Sequence, residues 1–170
     1  MFDGHTSDWI PITKGIGQGD PLSMIIYIIY NADLIDISQG HPNELTLAFV
    51  DDIILVAVGK TIEVTHHTLQ DMLEHTGGGF DWSRNHNSKF ETNKFGLIDF
   101  TPTKQATGLP MDIRGTVIKP STSHKFLGVI VDEHLKWKHH INYAISKGTA
   151  YTLQLRCLAT ASKGLSLTLM

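Results

Sequence analysis

The sequence predicts an α+β fold in which a small antiparallel sheet packs on helices. Two apolar runs of strand length, at 45–50 and 53–58, lie on either side of an Asp-Asp pair. Helical patterns follow predicted caps at Asp20 and Thr61. Runs rich in β-branched and aromatic residues usually form strands, whereas apolar residues three and four positions apart indicate helices. Both patterns occur here along one chain.

Composition narrows the class of protein. The 170-residue chain is 41% hydrophobic, which suits the core of one domain. It has no run of 18 apolar residues and no secretory signal at its start, so we expect no membrane segment. Cys157 is the single cysteine, which excludes an internal disulfide and a cysteine-based zinc module and favours an intracellular location. The net charge of −3 argues against a self-sufficient nucleic-acid-binding domain, but not against part of a larger one.

Asp51 and Asp52 lie at the predicted turn between the two apolar runs. Burying a carboxylate is costly unless another group offsets its charge, and a divalent cation would do so. The alternative is an ordinary hairpin turn, because aspartate is common in turns. The residues alone leave these two interpretations equally open.

A glycine-rich stretch from Lys14 to Ser23 leads into a predicted helix over 21–36. Asp20 is expected to cap this helix and Pro21 to occupy its first position. Its many apolar residues predict that it is mostly buried. A glycine-rich loop at a helix N-terminus is suited to binding phosphate, but this one is not a standard nucleotide-binding motif. An ordinary strand-to-helix turn is the alternative.

The rest of the chain gives weaker patterns. The other predicted elements are an edge strand at 9–13, a helix over 62–75, a loop-like segment over 80–93, strands at 94–100, 117–119 and 125–131, and a helix from 137 to about 157. The strands at 117–119 and 125–131 are expected to form a hairpin. No domain boundary is predicted.

Taken in order, these stretches resemble the palm of a reverse transcriptase of the non-long-terminal-repeat retrotransposon type, particularly of fungal elements. Residues 15–23 match the motif G-x-x-Q-G-x-P-L-S, and residues 48–52 match A-[FY]-x-D-D. Residues 93–100 resemble a later lysine-containing motif, and residues 126–129 resemble the primer-gripping hairpin. The resemblance extends over about residues 9–135.

The resemblance implies a partial polymerase palm over 1–136, followed by a helical extension over 137–170 at the start of a thumb or connection region. It implies nucleotidyl transfer with two Mg²⁺ (or Mn²⁺) ions. The partners would be an RNA template, a DNA primer and deoxynucleoside triphosphates, and the location would be the nucleus.

The resemblance also implies roles for individual residues. Asp51 would be a metal ligand shared by the two ions, and Asp52 a weaker ligand beside it. Lys94 would assist departure of pyrophosphate, the alternative being a solvated lysine at the start of a strand. The implied substrate-binding residues are Gln18, Gly19, Pro21 and Ser23, and the implied primer contacts are Phe126, Leu127 and Gly128. For Gly128 the alternative is a β-bulge.

The chain departs from the family pattern at its N-terminal end. The family has a further metal-binding aspartate on a strand well before the glycine-rich loop, but only fourteen residues precede Gly15. Asp3 and Asp8 lack the surrounding pattern. We therefore expect either an N-terminally truncated polymerase fragment, inactive on its own, or a degenerate remnant with no enzymatic role. An unrelated metal-dependent hydrolase is a weaker alternative, because no further His or Glu ligands accompany the aspartate pair.

Overall fold

The computed structural model describes residues 15, 17, 19–38, 40–101 and 108–158. The predicted strand at 9–13 and Gln18 lie outside these residues. The described chain combines four α-helices, two short 3-10 helices and three two-stranded antiparallel sheets. It divides into two compact units, which the sequence did not indicate. The first contains the described residues up to Val58 together with Thr68–Ser88, and the second contains Gly59–His67 and those from Lys89 onward.

The first helix, α1, covers Pro21–Tyr30. Asp20 caps it as predicted, because its Oδ1 accepts a hydrogen bond from the Leu22 amide at 3.0 Å, and Pro21 occupies the first turn. The predicted extension to residue 36 is wrong. Asn31 ends the α-helix, and the chain continues as a 3-10 helix over Ala32–Ser38. Asparagine favours helix ends because its side chain forms hydrogen bonds that compete with the helical backbone.

The prediction that this helix is mostly buried is also wrong. Leu22 is 58% exposed and Ile29 is 70% exposed. Burial occurs instead in the 3-10 helix, where Leu34 and Ile37 are almost completely covered. The reason is that the neighbouring strand and helix of this unit pack against the 3-10 helix. The buried apolar residues of the first unit are Leu34, Ile37, Met72, Leu73, Phe80 and Trp82.

The stretch Pro21–Ser38 is long and apolar enough to cross a membrane by length and composition, although the sequence predicted no such segment. This is weak evidence for a membrane span, because a core helix of a soluble protein passes the same test. The stretch is moreover two helices of different type rather than one. It also carries the exposed carboxylates of Asp33 and Asp36.

The predicted hairpin around the aspartate pair is confirmed. Strands β1 (Glu44–Phe49) and β2 (Asp52–Ala57) are antiparallel, with Phe49 opposite Asp52. This register leaves Val50 and Asp51 as a two-residue turn. On β1 the buried Thr46 lies between the exposed Leu45 and Leu47, and β1 packs against the 3-10 helix.

Helix α2 (Ile62–Glu74) follows, as predicted, and Thr61 Oγ1 accepts a hydrogen bond from the Val64 amide at 3.4 Å. The next helix, α3 (Gly79–Asn85), was predicted as loop-like, and that prediction is wrong. Its polar sequence has no helical periodicity. The helix is held by contacts outside itself, since Phe80 and Trp82 are buried and Asp81 accepts a hydrogen bond from the Gly77 amide.

In the second unit, residues 94–100 do not form the predicted strand. A 3-10 turn covers Thr92–Lys94, and the following extended chain makes one bridge, between Leu97 and Pro120. Proline has no amide hydrogen, so it cannot continue a ladder of hydrogen bonds at this point. The Leu97 carbonyl instead accepts a hydrogen bond from the Ser121 amide at 2.8 Å.

The later strands form two local hairpins rather than the single predicted one. Strand β3 (Met111–Ile113) pairs with β4 (Thr116–Ile118), and β5 (Ser123–Phe126) pairs with β6 (Val129–Asp132). Both turns, Arg114–Gly115 and Leu127–Gly128, have positive φ at their two central residues. That conformation matches the twist of two-residue hairpins, so each strand pairs with its nearest neighbour.

Helix α4 covers Lys138–Leu158, close to its predicted bounds. Asp132 joins β6 to the start of this helix, because its carboxylate accepts hydrogen bonds from the amides of His134, Lys136 and Trp137 at 3.1, 3.1 and 2.9 Å. These backbone hydrogen bonds, that of Lys136 first, lower the pKa of the Asp132 carboxyl.

Two glycine substitutions are expected to have opposite effects on stability. A Cβ at position 78 would lie 2.7 Å from the Met72 carbonyl oxygen, whereas a Cβ at Gly148, inside α4, meets nothing within 4 Å. Gly78→Ala should lower the free energy of unfolding by about 1–3 kcal/mol through overpacking. Gly148→Ala should raise it by about 1 kcal/mol. Urea unfolding of both variants tests this, and equal effects of the two substitutions would contradict it.

The stabilisation from Asp132 should depend on pH. Because the folded state lowers its pKa, its contribution is present above the unfolded pKa of about 3.9 and is lost as the pH falls through the lower folded value. The melting temperature of Asp132→Asn should therefore lie below that of the parent at neutral pH, and the gap should close in acid below about pH 4. Glu133→Gln is the matched control, and a gap that stayed constant with pH would rule out this role.

Candidate functional site

The aspartate pair lies at the tip of the β1–β2 hairpin, and both residues are exposed. Asp51 is in the turn, and Asp52 is the first residue of β2. Among the described residues neither side chain forms an ion pair or a hydrogen bond. The cost of burial that suggested a cation therefore does not arise here. Two adjacent carboxylates in water still repel each other, and they offer the oxygen ligands that Mg²⁺ prefers.

The turn itself is strained at Val50, whose φ is +57°. A β-branched residue with positive φ is a genuine outlier, which costs of order 1–3 kcal/mol and persists only where the surroundings hold it. A hydrogen bond from Asn31 Nδ2 to the Val50 carbonyl oxygen, 3.0 Å long, supplies such a constraint. Asn31 is only 5% exposed.

The end of α1 that carries Asn31 is anchored to α3. The Tyr30 hydroxyl donates a hydrogen bond to the His86 carbonyl. Its ring meets the edges of Trp82 and His86, which stack on each other with centroids 4.4 Å apart. Edge-to-face and stacked aromatic pairs add to the energy of burial. The helix that positions the turn is therefore fixed at the point where it meets the turn.

The glycine-rich loop lies at the other end of α1. Gly15 and Gly19 have φ of +92° and +88°, a backbone conformation that glycine adopts without strain. Gly19 and Pro21 are exposed, whereas Ser23 is 8% exposed. A ten-residue helix spans about 15 Å. Among the described residues, no hydrogen bond or ion pair joins Gly19, Pro21 or Ser23 to the aspartate turn.

Lys94 belongs to the second unit and ends the 3-10 turn rather than starting a strand. Its ammonium pairs with Glu91 Oε2 at 2.6 Å, and its side chain is 76% exposed. The hydrogen bond to Glu91 raises the pKa of Lys94. The lysine is thus protonated at neutral pH and paired with a carboxylate.

The predicted primer-contacting residues lie at the tip of the β5–β6 hairpin. Phe126 ends β5 opposite Val129, and Leu127 and Gly128 form the turn with φ of +47° and +84°. A Cβ at Gly128 would meet nothing within 4 Å. Glycine is therefore used here for its positive φ in a two-residue turn, and the alternative of a β-bulge is wrong.

A cluster of basic and aromatic residues beside this hairpin was not predicted. Lys125 Nζ donates a hydrogen bond to the Tyr143 hydroxyl at 2.9 Å, and Lys147 Nζ lies 5.9 Å from the centre of the same ring. The hydrogen bond from Lys125 lowers the pKa of Tyr143. We call Lys125, Tyr143 and Lys147 the Tyr143 cluster. Charge distribution is the signal that could have revealed it, since residues 119–156 contain six Lys and Arg but two Asp and Glu, in a chain of net charge −3.

A buried hydrogen bond between a histidine and an aspartate in the second unit was also missed. His66 Nε2 lies 2.8 Å from Asp99 Oδ1, and both side chains are less than a tenth exposed. Helix α2 and the extended chain after Leu97 bring these residues together, and nothing in their local sequence indicates the pairing. Within the described ranges, no group of three or more His, Cys, Asp or Glu residues is arranged to hold a metal ion.

Comparison with known proteins gives distant relatives of one kind. The chain is 23% identical over 143 residues to the RNA-directed DNA polymerase from mobile element jockey of Drosophila melanogaster, and 26% identical over 146 residues to that of Drosophila funebris. It is 24% identical over 132 residues to the probable RNA-directed DNA polymerase from transposon X-element of D. melanogaster. No family model and no solved structure matches the sequence.

These alignments cover 82%, 82% and 76% of this chain, but only 15%, 15% and 14% of the relatives. The chain is therefore similar, over most of its length, to a short region of RNA-directed DNA polymerases of mobile elements.

Proposed function

We propose that this chain is a fragment of the reverse transcriptase of a non-long-terminal-repeat retrotransposon and supplies the metal-binding turn of a polymerase palm. The observation that carries the proposal is the A-[FY]-x-D-D motif on a two-residue hairpin turn with both carboxylates exposed. The distant similarity to RNA-directed DNA polymerases supports it. These relatives are insect proteins and do not bear on the predicted fungal type, which, like the nuclear location, rests on the motif resemblance alone.

The donor set at the turn suits Mg²⁺ or Mn²⁺. These ions take oxygen ligands, and Mg²⁺ is commonly held by one or two carboxylates together with waters and substrate phosphates. Asp51 and Asp52 would be those carboxylates. When bound, a pair of such ions activates an attacking hydroxyl and stabilises the leaving group in phosphoryl transfer.

The glycine-rich loop would contact the incoming nucleotide through Gln18 and Gly19 rather than through the helix N-terminus. The Leu22 amide already donates to the Asp20 carboxylate, which adds negative charge where a phosphate would otherwise bind. Lys94 would have to leave Glu91 before it could approach pyrophosphate.

The second unit would contribute to binding of the RNA template and DNA primer. Lys125 and Lys147 meet no carboxylate partner among the described residues, and both lie within 6 Å of the Tyr143 ring centre. Two ammonium groups beside one aromatic ring suit a phosphate with a neighbouring base or sugar. The exposed Leu127–Gly128 turn begins two residues after Lys125 in the chain.

The metal-binding role predicts that the 170-residue polypeptide binds Mn²⁺ and that binding depends on the aspartate pair. Asp51→Asn should weaken binding by about tenfold, equivalent to about 1.4 kcal/mol, because it removes one charged ligand. Asp52→Asn should weaken it less. Titration followed by electron paramagnetic resonance measures the affinity. Asp71→Asn, an exposed aspartate on α2, is the control, and an equal loss in this variant would contradict a specific site.

The nucleic-acid role predicts salt-dependent binding to an RNA–DNA hybrid. Lys125→Gln and Lys147→Gln should each weaken binding and reduce the slope of log affinity against log salt by roughly one unit, because each removes one phosphate contact. Fluorescence anisotropy over a salt series gives the slope. Lys89→Gln removes an exposed lysine outside residues 119–156 and should leave the slope unchanged, so a uniform effect of all three variants would count against the cluster.

A second candidate function is a degenerate remnant without catalysis. It is favoured by the two carboxylates at the turn having no third acidic partner among the described residues. A primer-extension assay of the 170-residue polypeptide with Mg²⁺ or Mn²⁺ on a homopolymer template separates the candidates. Templated synthesis would exclude the remnant, whereas the absence of both synthesis and Mn²⁺ binding would favour it.

A further inference from the structure

We propose that Asn31 is a positioning residue that fixes the orientation of the Asp51–Asp52 turn. The proposal rests on the proposed function, since it assigns a purpose to the geometry of the metal-binding turn. Its starting point is the contact between a buried side-chain amide and the one turn residue whose backbone is strained.

The contact acts on the peptide plane that precedes Asp51. The Val50 carbonyl, which accepts the hydrogen bond from Asn31 Nδ2, shares its planar peptide group with the Asp51 amide. Fixing the carbonyl therefore fixes the direction in which the chain enters Asp51. Without the donor, Val50 loses the contact that favours its φ of +57°, a value that β-branched residues avoid.

The second polar atom of the Asn31 amide, Oδ1, indicates that the hydrogen bond to Val50 is kept at a cost in stability. Asn31 Oδ1 is buried and has no hydrogen-bond partner among the described residues. A half-satisfied buried amide destabilises a fold compared with an apolar side chain of similar size. The reverse orientation of the amide would place Oδ1 against the Val50 carbonyl oxygen, so the donor is assigned to Nδ2 by chemistry.

The contacts of the neighbouring Tyr30 hold the Asn31 side chain in place. Tyr30 packs against Trp82 and His86 of the α3 region, and Asn31 follows it directly. The Asn31 N–H also donates to the Tyr27 carbonyl at 2.9 Å, which holds its backbone to α1. A donor held in this way can impose a position on the turn rather than follow it.

The test separates the hydrogen bond from the packing. Asn31→Leu keeps the branched shape of the side chain and removes the donor, and Val50→Gly removes the conformational penalty that the donor offsets. Asn43→Leu is the matched control, because Asn43 lies at the opposite end of the same hairpin. Two quantities are measured on the 170-residue polypeptide, namely the NMR chemical shifts of Val50 and Asp51, which report the turn conformation, and Mn²⁺ affinity.

We expect Asn31→Leu to move the Val50 and Asp51 shifts and to lower Mn²⁺ affinity by roughly tenfold. Adding Val50→Gly should restore most of that affinity, which a merely structural role of Asn31 would not produce. Unchanged shifts in Asn31→Leu, or an equal loss of affinity in Asn43→Leu, would overturn the proposal. If Asn31→Leu does not fold, Asn31→Ala with and without Val50→Gly gives the same comparison.

The two proposals fail in different ways. A parent polypeptide that binds no Mn²⁺ would refute the metal-binding function, while the Val50 shifts would still decide whether Asn31 sets the turn. A parent that binds Mn²⁺ with an affinity independent of residue 31 would refute the positioning role and leave the metal site intact.

Discussion

The first unit depends on how α1 ends. Tyr30 is held by two aromatic rings, and Asn31 directly after it bonds the turn between β1 and β2. The same break sends the chain into the 3-10 helix whose Leu34 and Ile37 are buried against β1 and α3. The C-terminal end of α1 therefore positions both the buried residues of the 3-10 helix and the turn that carries the aspartate pair. The geometry of the candidate site depends on the packing of the core for this reason.

Local signals were enough to predict the elements that depend on nearby residues. The Asp20 cap, the Thr61 cap and the Asp51–Asp52 hairpin were found from the sequence, because a cap or a tight turn is decided within a few residues. The motifs at 15–23 and 48–52 also indicated a resemblance to reverse transcriptases, and the distant relatives are RNA-directed DNA polymerases of mobile elements.

Features set by distant contacts could not be predicted in this way. Helix α3 has no apolar periodicity and is held by burial of Phe80 and Trp82. The strand expected at 94–100 is limited to one bridge, between Leu97 and Pro120. The two later hairpins form around turns with positive φ, which the sequence did not indicate. The Asn31 contact joins residues nineteen positions apart, and an asparagine at a helix end gives no sign of its partner.

The contact between Asn31 and Val50 has a consequence for how related sequences vary. A residue at position 50 that tolerates positive φ, such as glycine or asparagine, needs less support from a donor at position 31. A β-branched residue at position 50 needs more. The two positions should therefore covary among homologues, with loss of the amide accompanied by a more permissive turn residue. Selection that maintains the carboxylates would then also maintain Asn31, which lies nineteen positions before Val50 in the chain.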